Sequence, residues 1–92
     1  MTRLSRTVTI VNQKGLHARA SAKFVTFVSR LPEGIKVEVE KDGQFVTGTS
    51  IMGLMMLGAA QGSEVIIHVG GEQADLAIEK LVGLVVDGFG ED

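Results

Sequence analysis

Three stretches of the chain alternate hydrophobic and polar residues, which is the period-two pattern of half-buried β-strands. They cover residues 5–11, 35–40 and 64–69. After the second stretch, Asp42-Gly43 precedes residues 44–47, and this pair is typical of the type I′ turn of a β-hairpin. We therefore predict a four-stranded antiparallel sheet that buries one face and exposes the other.

Between these strands, hydrophobic residues recur at the three- and four-residue spacing of amphipathic helices. The pattern predicts a first helix over residues 20–31 and a last helix whose apolar positions run over residues 74–89. A short helix is predicted over residues 51–57, with Ser50 as its N-cap. Residues 88–92, which contain two glycines and the chain end, are expected to fray.

The resulting element order, β-α-β-β-α-β-α, predicts an α+β fold with three helices on one face of the sheet. A chain of 92 residues is most simply one domain, spanning residues 1–92. The longest mostly apolar stretch, residues 51–60, is about half the length that a membrane helix needs. The N-terminal residues lack a signal-peptide core, so we expect a cytoplasmic protein without a membrane interaction.

Composition excludes several classes of function. The formal net charge is −2 and the chain has neither Trp nor Tyr, which argues against nucleic-acid binding. There is no Cys and there are only two His, so a metal centre is not expected.

His17 stands at the predicted junction of the first strand and the first helix. The free backbone N–H groups at a helix start, together with the helix dipole, favour an anion there. Arg19, two residues later, could form a bidentate contact with phosphate oxygens. The alternative is that His17 is an incidental capping residue and Arg19 a solvated charge, and the spacing alone leaves both open.

The second histidine, His68, is predicted on the exposed face of the sheet as a surface residue. No pair of carboxylates is marked by spacing for acid-base work, and no base accompanies Ser50, which disfavours a conventional hydrolase. The residues after Ser50 either fill the core or, through Ile51, Met52 and Met55, form an exposed docking patch. The sequence leaves these two possibilities open.

Two motifs together resemble the HPr family of phosphocarrier proteins, from the bacterial phosphoenolpyruvate-dependent phosphotransferase system. The first motif is Gly15-Leu16-His17-Ala18-Arg19, and the second, some thirty residues later, is the run SIMGLMMLG over residues 50–58. The likeness covers nearly the whole chain. It implies an open-faced β-sandwich, which agrees with the predicted element order.

In that family the histidine matching His17 accepts a phosphoryl group from enzyme I through Nδ1 and passes it to enzyme IIA proteins. The resemblance implies that the Arg19 side chain and the N–H groups of Ala18 and Arg19 stabilise the phosphate. Ser50 matches the regulatory site of HPr kinase/phosphorylase in bacteria that have this enzyme. The implied protein is a monomeric carrier without a cofactor or metal, and not an enzyme. Its implied partner surface consists of Ile51, Met52, Met55, Ala20 and Lys23.

One departure from the family pattern bears on the branch of the system. Ala20-Ser21 stands where the family usually has Pro-Ala. Together with the Ser50 motif, this variant resembles proteobacterial HPr proteins that regulate nitrogen or carbon control without a sugar permease.

Two other functions remain open from the sequence. A co-effector regulated only through Ser50 would lack the histidine, so the presence of His17 argues against it. A small-molecule sensor of ferredoxin-like α/β type fits the composition and periodicity equally well, and failure to label His17 with phosphoenolpyruvate and enzyme I would favour it.

Overall fold

Four strands and three helices follow one another in the predicted order, which confirms the fold class. The computed structural model describes residues 3–91. The elements are β1 (Arg3–Thr9), α1 (Ala18–Ser29), β2 (Lys36–Lys41), β3 (Gln44–Thr47), α2 (Ile51–Met56), β4 (Glu64–Gly70) and α3 (Ala74–Val86), and a short 3₁₀ turn at Gly88–Gly90 follows α3. Within residues 3–91, no helix combines the length and hydrophobicity that would let it cross a membrane.

The sheet is antiparallel throughout, with the strand order β1-β4-β2-β3. Its central strand β4 pairs with β1 on one side and with β2 on the other. Val65, Ile67 and Val69 of β4 are buried, whereas Glu64 at its start is exposed. This alternation directs one face of the sheet toward the helices and leaves the other face open, as predicted.

The hairpin between β2 and β3 has the turn that the sequence predicts. Asp42 and Gly43 both have left-handed backbone conformations, with φ of 51° and 82°. Two such residues in succession form a type I′ turn, whose twist matches that of paired strands.

A single hydrophobic core fills the space between the sheet and the helices. Helix α3 packs on β1 and β4, and α1 packs on α2. The largest buried side chains come from every layer: Phe24, Phe89, Ile10, Leu54, Ile67, Ile78 and Leu81.

The C-terminal segment differs from its prediction. Helix α3 ends at Val86, so Phe89 does not continue the helix although its apolar spacing suggested it. Phe89 instead adopts a left-handed backbone conformation with φ 57°, and its side chain is only 1% exposed. Burying a phenylalanine contributes about 1.5–3 kcal/mol. A left-handed backbone at a non-glycine residue costs about 1–3 kcal/mol, and the burial of the side chain offsets this cost.

The prediction that residues 88–92 fray is therefore wrong for Gly88 to Glu91, because Phe89 anchors the segment in the core. The last residue, Asp92, lies outside the described part of the chain.

The β1–α1 connection passes very close to the segment that follows α2. Gly15 has φ +64°, and a Cβ atom at this position would overlap the carbonyl oxygen of Ala59. The same carbonyl accepts a hydrogen bond of 2.9 Å from the backbone N–H of Leu16. Only glycine satisfies both the conformation and the lack of space, so Gly15 fixes where α1 begins.

We predict that Gly15→Ala destabilises the protein more than Gly58→Ala. Both glycines have similar positive φ values, +64° and +67°, but a Cβ at Gly58 would meet no atom within 4 Å. The Gly58→Ala variant should lose about 1 kcal/mol of unfolding free energy from backbone strain. The Gly15→Ala variant should lose about 2 kcal/mol more because of the overlap with Ala59.

Urea denaturation of the two variants measures this difference. Equal losses would contradict the assignment of a close backbone contact at Gly15.

Candidate functional site

His17 is the N-cap residue of α1. Its backbone is extended, with φ −74° and ψ −179°, and its carbonyl accepts a hydrogen bond of 2.9 Å from the N–H of Ser21. Its ring nitrogen Nδ1 accepts the backbone N–H of Arg19 at 3.3 Å. This hydrogen bond holds the imidazole at the helix start. The side chain is 27% exposed, so the ring remains accessible.

The hydrogen bonds of the imidazole define its tautomer. A backbone N–H can only donate, so Nδ1 must present a lone pair to Arg19. In the neutral ring the proton then sits on Nε2, which lies 2.6 Å from Oε2 of Glu91 and donates to it. The lone pair of Nδ1 therefore faces the first turn of α1, where the positive end of the helix dipole lies.

The ring borders an open depression of about 690 Å³. Three of its lining side chains, Lys14, Arg19 and Lys23, are cationic, and one, Glu91, is anionic. The depression therefore brings together four of the residues predicted from the sequence, His17, Ala18, Arg19 and Lys23.

Three residues of the site, Lys14, Asn12 and Glu91, were not predicted from the sequence. Asn12 is buried, and its Nδ2 donates to the carbonyl of Gly15 at 2.8 Å and to Oε1 of Glu91 at 3.0 Å. Glu91 is separated from His17 by 74 positions in the chain. Asn12 could have been inferred from its place three residues before a turn glycine, whereas no local pattern connects Glu91 with His17.

The carboxyl group of Glu91 is held in its charged form. Its partial burial acts to raise its pKa, but the hydrogen bonds from Asn12 and His17 and the positive charge of Lys23 act in the opposite direction. The result is a pKa of Glu91 below its ordinary value of 4.5. Near neutral pH, Glu91 is therefore a carboxylate.

The short helix α2 presents its methionines to solvent. Leu54 is buried, but Ile51, Met52 and Met55 are exposed, Met52 by 70%. This resolves the question that the sequence left open in favour of an exposed patch. Met56, which the prediction did not include, is 75% exposed and extends the patch.

Ser50 is the N-cap of α2, as predicted. Its Oγ accepts a hydrogen bond of 2.9 Å from the backbone N–H of Gly53.

The structure corrects the predicted partner surface at Ala20 and qualifies it at Lys23. The Ala20 side chain is completely buried against the core, so the prediction that it contacts a partner is wrong. The helical spacing of Ala20 with Phe24 and Val28 explains this, since all three lie on the buried face of α1. Lys23 is exposed, but its Nζ donates to the carbonyl of Phe89 at 2.7 Å.

His68 lies on the open face of the sheet, as predicted, but it is not a freely exposed surface residue. Its side chain is only 11% exposed. Nδ1 lies 2.6 Å from Oγ of Ser5, Nε2 lies 2.7 Å from Oε1 of Glu40, and the ring stacks on Phe45. The alternation of β4 predicted the correct face, but the neighbours on adjacent strands depend on the strand order.

Among residues 3–91, no three His, Asp or Glu side chains are grouped so that they could hold a metal ion. The chemistry that the described residues offer is therefore that of an accessible imidazole at a helix N-terminus, surrounded by cationic side chains.

Known proteins match this chain over nearly its full length. Residues 4–87 match the family model for the phosphorylation site of the PTS HPr component. The phosphocarrier protein HPr of Pseudomonas putida is 45% identical over 87 residues, which are 95% of this chain and 96% of that protein.

Solved structures agree with this match. HPr-C-His from Thermoanaerobacter tengcongensis has a TM-score of 0.87 at 40% identity, covering 100% of this chain and 99% of that one. The HPr of Bacillus anthracis has a TM-score of 0.85 at 34% identity, covering 92% of this chain and 99% of that one. Because the family model and the relatives all match over most of its length, the chain belongs to the HPr family of the phosphotransferase system.

Proposed function

We propose that this protein is a phosphoryl carrier in which Nδ1 of His17 accepts a phosphoryl group from enzyme I and passes it to enzyme IIA proteins. The observation that carries the proposal is the tautomer of His17, whose Nδ1 lone pair faces the helix start beside cationic side chains. A lone pair on an accessible nitrogen is what a nucleophile needs. We expect the carrier to act as a monomer in the cytoplasm.

The first turn of α1 supplies donors for the transferred group. The N–H of Arg19 reaches Nδ1 across 3.3 Å, a long hydrogen bond that is easily given up. Once Nδ1 bonds to phosphorus, this N–H and that of Ala18 can donate to phosphoryl oxygens, and the helix dipole adds to their effect. The guanidinium of Arg19, on the rim of the same depression, can stabilise charge on the phosphoryl group during transfer.

The proposed partner surface consists of Ile51, Met52 and Met55 of α2, together with Lys23 of α1. Helix α2 packs on α1, and the chain after α2 contacts the turn that precedes His17, so the patch and the imidazole belong to one region of the molecule. Methionines adapt to differently shaped apolar surfaces. Such a patch suits a carrier that must dock first on a donor and then on several acceptors.

We further propose that the protein works in the regulatory branch of the system and that HPr kinase/phosphorylase, where present, modifies Ser50. The branch assignment rests on the resemblance of the Ala20-Ser21 variant. Ser21 is buried, and its Oγ donates to the carbonyl of Leu16 at 3.2 Å. This bond supports the helix start one residue after the position at which the family usually has proline.

We predict that phosphoenolpyruvate and enzyme I place an acid-labile, base-stable phosphate on the wild-type protein and none on His17→Ala. The reason is that His17, of the two histidines, lies at a helix-terminus anion site. Labelling with radioactive phosphoenolpyruvate, followed by acid and base treatment, measures the outcome.

His68→Ala serves as the matched control for this experiment and should retain the label in proportion to its folded fraction. Because His68 is packed among Ser5, Glu40 and Phe45, circular dichroism should establish that fraction first. Label retained by His17→Ala and lost by folded His68→Ala would refute the assignment.

We predict that Ser50→Asp reduces the rate at which enzyme I phosphorylates His17 by about tenfold, through charge at the edge of the docking patch. Its stability should stay within about 0.5 kcal/mol of the wild type, because aspartate caps a helix as well as serine does. Initial transfer rates and urea denaturation measure the two effects.

Ser50→Asn is the matched control, since asparagine also caps helices but carries no charge. It should transfer at close to the wild-type rate. If the asparagine variant slowed transfer as much as the aspartate variant, the hydroxyl itself would be needed and the regulatory role of charge at Ser50 would be wrong.

A further inference from the structure

We propose that Glu91 is a positioning residue for His17: its carboxylate holds the Nε2 proton, aims the Nδ1 lone pair at the helix start and balances the positive charge of the phosphorylated ring. This inference rests on the proposed function of His17 as the phosphoryl acceptor.

The contact between the two side chains is short and shielded. Nε2 of His17 and Oε2 of Glu91 are 2.6 Å apart, and the Glu91 side chain is only 18% exposed. The second carboxylate oxygen, Oε1, accepts a hydrogen bond of 3.0 Å from Nδ2 of the buried Asn12. Both oxygens are thus engaged, so the carboxylate has a defined orientation toward the imidazole.

The chain around Glu91 is built to hold it in this place. Phe89 is buried in the core, and its carbonyl accepts Nζ of Lys23 from α1. Gly88 and Gly90 on either side have positive φ values, 65° and 72°, and the N–H of Glu91 donates to the carbonyl of Gly88 at 3.0 Å. The segment Gly88–Glu91 therefore forms an anchored strap that crosses the edge of the depression beside His17. We call it the C-terminal strap.

The start of α1 and the C-terminal strap place opposite requirements on the two ring nitrogens. Nδ1 faces backbone donors and must be free of a proton to act as a nucleophile, whereas Nε2 faces an acceptor and must keep its proton. A carboxylate and a backbone N–H on opposite sides of one imidazole select the same tautomer. The lowered pKa of Glu91 keeps the carboxylate charged in the pH range in which the transfer takes place.

During transfer, the Nδ1 lone pair forms the new bond to phosphorus. The bond between phosphorus and the donor atom of phosphorylated enzyme I breaks, and its electron pair returns to that donor atom. The Nε2 proton stays where it is, so the ring becomes a cation that faces Glu91. The carboxylate lies on the far side of the ring from the phosphoryl group, so it can offset the ring charge without contacting the incoming anion.

Two substitutions separate the hydrogen bond from the charge. Glu91→Gln can still accept the Nε2 proton through its amide oxygen but is neutral, whereas Glu91→Ala removes both the acceptor and the charge. Asp87→Asn is the matched control. It removes one negative charge from the same end of the chain, and the Asp87 side chain is exposed and makes no capping hydrogen bond.

We expect the rate constant for transfer from phosphorylated enzyme I to fall by about tenfold in Glu91→Ala, the lower end of the loss seen when a metal-binding histidine loses its carboxylate partner. Glu91→Gln should fall between this variant and the wild type, and Asp87→Asn should match the wild type. The half-saturating carrier concentration should stay unchanged in all four proteins, because the docking patch on α2 is untouched. If Glu91→Ala raised the half-saturating concentration and left the rate constant unchanged, Glu91 would serve docking and the proposal would be overturned.

A spectroscopic measurement on the unphosphorylated carrier reports the contact directly. Nitrogen-15 spectra of the histidine side chains should show a slowly exchanging Nε2 proton on His17 in the wild type, Glu91→Gln and Asp87→Asn. The proton should exchange rapidly with water in Glu91→Ala. An equally protected proton in Glu91→Ala, or a rate loss in Asp87→Asn equal to that in Glu91→Ala, would overturn the positioning role.

The two measurements also separate this inference from the proposed function. If wild-type His17 is not labelled by phosphoenolpyruvate and enzyme I at all, the carrier function fails. The nitrogen-15 spectra then test only whether Glu91 forms a hydrogen bond with Nε2 of His17. The proposed role of Glu91 in transfer fails together with the carrier function.

Discussion

The positions of the three helices, and of the connections that carry His17, follow from the burial of only one face of the sheet. The apolar side chains of β1, β2 and β4 point to the same side, so all three helices must cover that side. Because each helix crosses the same face, the connections between layers meet at the ends of the strands. His17 lies at one of these connections, between β1 and α1, and the segment after α2 lies against it.

The close contact at this connection gives the site its rigidity. Gly15 brings the backbone against Ala59, and the neighbouring N–H of Leu16 bonds to the same carbonyl. The start of α1 is thereby tied to the chain that leaves α2. In the proposed transfer, a histidine held by such a backbone contact needs little reorganisation, and preorganisation of this kind lowers the barrier.

Much of this could be predicted from local patterns, because they act over short distances. The alternation over β2 and the Asp42-Gly43 pair define the hairpin, and the helical spacing of Ala20 with Phe24 already placed Ala20 inside. The assignment of Ala20 to a partner surface came from the family resemblance and went against this helical spacing. The sequence could not decide whether the α2 methionines are exposed, because a helix of six residues is too short to show which face is buried. In the structure Leu54 is buried and the methionines are exposed.

The C-terminal strap shows where local patterns stop being informative. Phe89 continues the apolar spacing of α3, but it enters the core from a left-handed turn instead of a helix. Two flanking glycines and a nearby chain end are typical of a frayed terminus, and the gain from burying Phe89 reverses that expectation. Nothing in the sequence near Glu91 indicates His17, because their contact depends on how the core places two distant segments.

The charges of the site are divided between the two sides of the imidazole. Nδ1 meets the backbone N–H of Arg19 at the helix start, whereas Nε2 meets the carboxylate of Glu91, which is also bonded to Asn12. An anion that bonds to Nδ1 is therefore placed at the positive end of the helix dipole, and the Glu91 carboxylate, which contacts the other ring nitrogen, is engaged in hydrogen bonds of its own. A carrier must also release what it accepts. Long hydrogen bonds to an accessible nitrogen suit reversible transfer better than a closed anion pocket, in which each added donor would hold the phosphoryl group more tightly.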